Sequence, residues 1–142
     1  MKTYISRISI CLALVMALLS CISSDSKKAE ECAKTFASHY FNLRYVQSTG
    51  FCTPTSHKWI SYKASNISQE DLDVLNSQQD TAECEIESSD VEDDKATVVV
   101  NVSHFLKCDT IGKPGHMCDN EKFELTLKRN GKKWLVDLPH PL

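Results

Sequence analysis

Residues 96–106 read ATVVVNVSHFL, and this valine-rich segment decides the fold prediction. Valine and other β-branched residues favour strands, whose side chains point alternately to opposite faces of a sheet. One face would carry Ala96, Val98, Val100, Val102, His104 and Leu106, and the other Thr97, Val99, Asn101, Ser103 and Phe105. The pattern therefore predicts a strand with the first of these faces turned toward the core.

Further strand signals lie on both sides of this segment. Residues 82–86 alternate between apolar and acidic side chains, which predicts a half-exposed strand followed by a turn or loop over Ser88–Asp94. Lys107–Asn120 contains two glycines and a proline and predicts a long connection. Asn130-Gly131 then separates two alternating runs and favours a two-residue hairpin turn. This turn predicts the facing pairs Leu127 with Trp134, Leu125 with Val136, and Phe123 with Leu138.

Three helices are predicted before these strands. Apolar residues at three- and four-residue steps predict a long helix over Lys27–Val46, and they are Ala29, Cys32, Ala33, Phe36, Tyr40 and Leu43. Thr53-Pro54 favours the start of a second helix, whose buried residues would be Trp59, Ile60 and Tyr62. Ser68 and Asp71 approximate a capping box, flanked by the apolar pair Ile67 and Leu72, and predict a third helix over Gln69–Ser77.

Helices followed by an antiparallel meander of about four strands predict an α+β fold. This order resembles the nuclear transport factor 2-like superfamily, in which a curved antiparallel sheet packs around N-terminal helices to form a cone, and which includes ketosteroid isomerase and limonene epoxide hydrolase. The closing Trp134-Leu135-Val136 is also common in small bacterial lipoproteins of that superfamily. The resemblance covers residues 27–138 and implies either a cavity enzyme or a non-catalytic module, since the fold alone does not fix the function.

The N-terminus predicts where the protein resides. Leu18-Leu19-Ser20-Cys21 ends an apolar run of about a dozen residues, which is shorter than the roughly 20 residues that span a bilayer. These four residues resemble the lipobox of bacterial lipoprotein signal peptides. The resemblance implies a signal peptide over residues 1–20, a diacylglyceryl group on Cys21, a tether over residues 21–26, and a single domain over residues 27–142. Ile22, standing where some bacteria use an aspartate for inner-membrane retention, favours the outer membrane of the cell envelope.

The composition and motifs of the chain limit the classes of partner and cofactor that we expect. Removing residues 1–20 takes two positive charges and no acids from a chain of net charge −3, which leaves −5 on 122 residues. Such an acidic domain lacks the clustered lysines and arginines of a nucleic-acid-binding surface. The chain has no phosphate-binding glycine loop, dinucleotide fingerprint or G-x-S-x-G motif, so we expect no cofactor.

Cysteines after Cys21 predict disulfides, because an exported protein meets an oxidising compartment. Cys108 and Cys118 flank the long connection, and a disulfide between them is the leading prediction. A metal site adding His104 and His116 is the alternative, but the paired C-x-x-C spacing is missing and we expect no metal.

A second disulfide would use two of Cys32, Cys52 and Cys84, and the sequence leaves this pairing open. Cys52–Cys84 is favoured, because Cys32 lies within the apolar stripe of the first helix.

His104 is the one candidate catalytic residue, because strand alternation places it on the inward face, where an imidazole could act as a general base. The alternative is a strand-end histidine that hydrogen-bonds locally. Acids of the predicted strands fall on the polar side and argue against acid–base chemistry; they are Glu83, Glu85, Glu87, Glu124 and Asp137. Asp71 and Asp73 of the third helix remain as alternative acids.

The leading hypothesis is a lipid-anchored envelope protein whose domain binds a small apolar molecule or a protein partner without catalysis. The alternative is a small hydrolase, isomerase or dehydratase using His104. Val99 and Phe105 on the predicted outer face also predict a homodimer, because large apolar side chains are rarely left in water.

Overall fold

The computed structural model describes residues 24–77, 81–108 and 112–142, so the lipobox and Cys21 lie outside the described residues. Helix α1 covers residues 24–41, followed by α2 (Tyr45–Ser48), α3 (His57–Ser65) and α4 (Gln69–Asn76). Short 3-10 turns occupy Thr49–Phe51 and Pro54–Ser56. The strands are β1 (Glu83–Glu92), β2 (Lys95–Lys107), β3 (His116–Asn130) and β4 (Lys133–Val136).

Helix α1 buries the predicted apolar stripe, but its limits differ from the prediction. Residues 24–26, predicted as part of a tether, are already helical. At the other end Leu43 has a φ of 58°, a left-handed conformation that ends the helix before Val46. The Asn42 amide donates to the carbonyl of Ser38 (2.8 Å) and to that of Ala82 (3.0 Å), so the helix end is tied to the start of the sheet.

The capping-box prediction for α4 is confirmed. The Ser68 hydroxyl accepts from the Asp71 backbone N–H (3.1 Å), and the Asp71 carboxylate accepts from the Ser68 N–H (2.7 Å). Leu72 remains 38% exposed, so the accompanying apolar pair buries little surface. Before α3, Thr53 does not cap the helix with its side chain; its hydroxyl instead donates to Asp137 (2.8 Å).

The four strands form one antiparallel sheet in the order β1-β2-β3-β4. Strand β1 continues to Glu92, so most of the segment predicted as an acidic loop is strand, with a shift in register between Ile86 and Ser88. Strand β3 begins at His116, inside the predicted long connection. Both differences arise because backbone pairing with β2 extends further than the apolar alternation does.

The β3–β4 hairpin does not have the predicted register. Leu127 pairs with Val136, and Asn130 pairs with Lys133, so the two turn residues are Gly131 and Lys132. Gly131 has a φ of 62°, which suits a glycine at the first central position of a primed turn. The register is displaced by two residues, and Leu127, Trp134 and Val136 therefore still face the core.

Strand alternation fails at His104, which was predicted to face inward. His104 has a φ of 53° and is exposed, whereas Phe105, predicted to face outward, is 2% exposed. A left-handed residue interrupts the pleat, so the side chain that follows it rotates into the core. Since Phe105 is buried, it no longer supports a homodimer through the outer face of the sheet.

Helix α1 and the inward side of β2, β3 and β4 share one hydrophobic core. Its fully buried members include Phe36, Phe105, Leu125, Leu127 and the alternate valines of β2. Helices preceding and packing on an antiparallel sheet confirm the predicted α+β class.

Candidate functional site: an aromatic cavity with a lysine rim

The residues of the predicted metal site and of the predicted disulfides do not come together. His104 is exposed and does not line the cavity described below. Within the described parts of the chain, no three His, Cys, Asp or Glu side chains are grouped closely enough to hold a metal ion. In the same parts, no helix is long and apolar enough to cross a membrane.

Neither predicted disulfide is present among the described cysteines. Cys118 on β3 pairs with Phe105 on β2, and Cys108 lies three residues beyond Phe105 along the chain. Three strand residues correspond to about 10 Å between the levels of the two cysteines. A disulfide requires Cα atoms within about 7 Å. Cys52 pairs with Val136 beside β4, whereas Cys84 lies on β1 at the opposite edge of the sheet. The sheet topology therefore separates both predicted pairs.

A cavity of about 240 Å³ opens where the end of α1 meets α3 and the end of β2. Its walls come from segments far apart in sequence, and the lining residues are Tyr40, Phe41, Lys63, Phe105, Leu106, Lys107, Cys108, Phe123 and Leu142. None of the nine is acidic or a histidine. The lining combines a large apolar wall with two cationic side chains.

Three phenylalanines make the inner wall. The Phe41 ring lies 4.5 Å from the Phe123 ring and 5.1 Å from the Phe105 ring, and Phe105 and Phe123 are 5.5 Å apart, measured between centroids. These tilted and edge-on contacts are the favoured arrangements of aromatic pairs. The irregularity at His104 produces this wall, because it turns Phe105 inward.

Polar groups of the rim are engaged with the backbone. The Lys63 ammonium donates to the main-chain oxygens of Leu142 (3.0 Å) and Cys108 (3.4 Å). The Tyr40 hydroxyl donates to the same Leu142 oxygen (3.3 Å). Lys107 pairs with Glu121 at 2.6 Å, and both side chains are about one third exposed. Burial raises the pKa of Tyr40 far above its ordinary value, so its hydroxyl stays protonated.

A buried carboxylate fixes the wall next to the rim. Asp71 is 2% exposed and accepts from the Ser68 hydroxyl (2.8 Å), from the Gly115 N–H (2.6 Å) and from the Cys108 thiol, besides the Ser68 N–H. Burial alone would raise the pKa of Asp71, but these hydrogen bonds outweigh it and lower the pKa. We call Ser68, Asp71, Cys108 and Gly115 the Asp71 cluster.

Gly115 of the Asp71 cluster allows this close approach. A Cβ at this position would lie 2.8 Å from the Cys108 sulfur and 3.0 Å from the Lys107 carbonyl oxygen. Gly115, directly before β3, is thereby held against α4 and the end of β2, next to the cavity. The sequence indicated Asp71 as a cap, but gave no sign of its contact with Gly115, 44 residues away.

Comparisons with known proteins add one structural likeness. The chain matches no protein-family profile. No curated protein matches it by sequence. The structure is similar to a Campylobacter jejuni protein whose crystal structure is described as that of an NTF2-like transpeptidase. The TM-score is 0.48 with 16% identity, and the match covers 77% of this chain and 96% of that chain. A likeness of this size carries no argument about function, so we infer the function of this chain from the geometry of its cavity.

Proposed function

We propose that this chain is a lipid-anchored cell-envelope protein whose domain binds a small, mainly apolar molecule with an anionic end. The observation that carries the proposal is the cavity of about 240 Å³ with a phenylalanine wall and lysines at its rim. The order of helices and strands further supports assigning the domain to the nuclear transport factor 2-like cone.

The size of the cavity limits the ligand. Pockets for drug-sized molecules begin at roughly 300 Å³, so the expected ligand is smaller. Burying about six methylene groups would contribute about 5 kcal/mol, which corresponds to a dissociation constant in the submillimolar range before the costs of association. A medium-length hydrocarbon chain or a small aromatic ring fits these limits.

The charge of the rim favours an anion. Lys63 and Lys107 are the two charged side chains of the lining, and Glu121, which forms an ion pair with Lys107, lies outside it. A carboxylate entering the rim would compete with Glu121 for Lys107. Because Lys107 is about one third exposed, we expect solvent to limit its contribution to a two- to fivefold gain in affinity, or about 0.5–1 kcal/mol.

The cavity favours binding over catalysis. The nine lining residues include no histidine, aspartate or glutamate, and Tyr40 and Lys63 already donate to the main-chain oxygen of Leu142. His104, the base of the alternative enzyme hypothesis, is exposed and does not line the cavity. That alternative therefore lacks a base at the place where a ligand would bind.

The proposed location rests on the lipobox and the signal-peptide pattern of residues 1–20. Expressed in a bacterium, the chain is expected to incorporate labelled palmitate, and the Cys21→Ser variant is expected to incorporate none. Label retained by Cys21→Ser would refute lipidation at this cysteine.

The ligand proposal is tested with three probes of equal chain length: octanoate, octanol and octylamine, each titrated into the protein by calorimetry. We expect octanoate to bind two- to fivefold tighter than octanol, and octylamine to bind most weakly. Lys107→Met should lower the octanoate affinity to that of octanol. Lys122→Met is the matched control, because Lys122 forms a similar ion pair with Glu87 (2.5 Å) and does not line the cavity. Equal affinity for octanoate and octylamine, or no binding of any probe at 10 mM (roughly the weakest affinity worth measuring), would refute the proposal.

A further inference from the structure

We infer that Cys32 and Cys52 form a disulfide when the chain folds in the presence of a thiol oxidant. This modification goes beyond ligand binding. It links α1 to the end of the 3-10 turn Thr49–Phe51, which Cys52 directly follows. In the structure the two thiols are unbonded.

Both sulfurs contact the same short turn. The Cys32 thiol lies 3.6 Å from the carbonyl oxygen of Phe51, the residue next to Cys52. The Cys52 thiol lies 3.7 Å from the carbonyl oxygen of Thr49 in that turn. Both cysteines also adjoin β4, because the Cys32 thiol donates to the Trp134 carbonyl (3.0 Å) and Cys52 pairs with Val136.

The electrostatics agree with this proximity. Burial and, to a smaller extent, the neighbouring Cys32 thiol raise the pKa of Cys52 to about 11. Burial also raises the pKa of Cys32 to about 11. Both thiols would be almost fully protonated at pH 7 in the folded protein, where thiolate is the reacting form. The disulfide should therefore form during folding and only slowly afterwards.

The chemistry needs a disulfide as the oxidant, for which oxidised glutathione serves. One cysteine thiolate attacks a glutathione sulfur, which releases glutathione thiolate and leaves a mixed disulfide. The second cysteine then attacks its partner's sulfur and displaces the other glutathione. In total, two protein thiols lose two electrons and two protons, and one oxidised glutathione becomes two reduced molecules.

The sheet separates the competing pair Cys52 and Cys84. Cys84 lies on β1, at the opposite edge of the sheet from Cys52. The segment closed by Cys32 and Cys52 contains Tyr40 and Phe41, which line the cavity. The disulfide would thus fasten the helix end that carries this part of the wall.

Peptide mapping after oxidative refolding tests the inference. The full chain is refolded with reduced and oxidised glutathione, unfolded in guanidinium chloride that contains N-ethylmaleimide, and digested with trypsin without reduction. Cleavage after Lys28, Lys34, Arg44, Lys58, Lys63 and Lys95 places Cys32, Cys52 and Cys84 in the separate peptides 29–34, 45–58 and 64–95. We expect peptides 29–34 and 45–58 to be joined, with a mass lower by two hydrogens. Maleimide on both cysteines, or Cys52 joined to peptide 64–95, would overturn the inference.

Two variants and a melting curve complete the test. Cys84→Ser removes a buried thiol of the same kind and should leave the cross-link intact, whereas Cys52→Ala should leave Cys32 labelled by maleimide. Closing a segment of 20 residues should raise the melting temperature of the oxidised protein on the order of 10 °C. Because the oxidant is supplied in the buffer, the result does not depend on lipid anchoring or on a ligand.

Discussion

Replacing Asp71 by asparagine should strongly destabilise the protein. The carboxylate accepts two hydrogen bonds from Ser68, one from the Gly115 N–H and one from the Cys108 thiol. Asparagine keeps one acceptor oxygen, but turns an NH₂ group toward donors on the other side. Losing two charge-assisted hydrogen bonds at about 1.5 kcal/mol each, with a buried donor left unpaired, predicts a loss of about 3–5 kcal/mol.

Urea unfolding at pH 7, followed by the fluorescence of Trp59 and Trp134, measures this loss. Asp73→Asn is the matched control, because Asp73 lies on the same helix, is exposed, and accepts one side-chain hydrogen bond from Gln69. We expect the control to change the free energy of unfolding by less than about 0.5 kcal/mol. A loss below about 1 kcal/mol for Asp71→Asn would show that the Asp71 cluster does not stabilise the fold as argued.

The same variant predicts a pH dependence. The pKa of Asp71 is lower in the folded protein than in the unfolded chain, where it is about 3.9. The carboxylate's contribution is therefore fully present above about pH 4 and is lost as the pH falls through the lower folded-state pKa. Asparagine does not titrate, so the difference in stability between wild type and Asp71→Asn should narrow below pH 4. A difference that stays constant down to pH 2.5 (about 1.4 units below that unfolded pKa) would contradict the reasoning.

Two further predictions concern the cavity wall. Phe105→Ala should lower the free energy of unfolding by about 3–5 kcal/mol. His104→Gln should change it by less than about 0.5 kcal/mol and leave octanoate binding unchanged. The reverse order in urea unfolding would show that His104, and not Phe105, faces the core as strict strand alternation predicts. Leu106→Phe should fill part of the cavity and weaken octanoate binding by at least about tenfold in calorimetry, with a stability change below about 2 kcal/mol. Unchanged affinity in this variant would place the ligand elsewhere.

Much of the fold could be predicted because its signals are local. The capping box joins Ser68 and Asp71 within one helical turn, and the α1 stripe repeats over neighbouring turns. The hairpin register is different in kind. A turn at Asn130-Gly131 and one at Gly131-Lys132 keep the same side chains inward, because the two registers differ by two residues. The apolar pattern therefore cannot distinguish the two registers, and the observed one is known only from the pairing of β3 with β4.

The inward turn of Phe105 was not predictable from strand periodicity. His104 adopts a left-handed backbone without being a glycine, so its residue type did not mark the interruption. What favours it is the burial of the Phe105 ring against Phe41 of α1 and Phe123 of β3, contacts that span many residues. Because Phe105 and not His104 faces the core, the functional expectation also changed: the cavity has an apolar wall and not a candidate base.

The cavity depends on the same long-range contacts, and its polar groups show why we favour binding. Tyr40 and Lys63 come from different helices and donate to the same main-chain oxygen of Leu142. A general acid or base must exchange a proton with its substrate, and either group would first have to leave this shared contact. Lys107 is placed differently, because its partner Glu121 is a surface carboxylate that a ligand anion can replace. We therefore propose that a ligand anion replaces Glu121 at Lys107 while the rest of the wall stays in place.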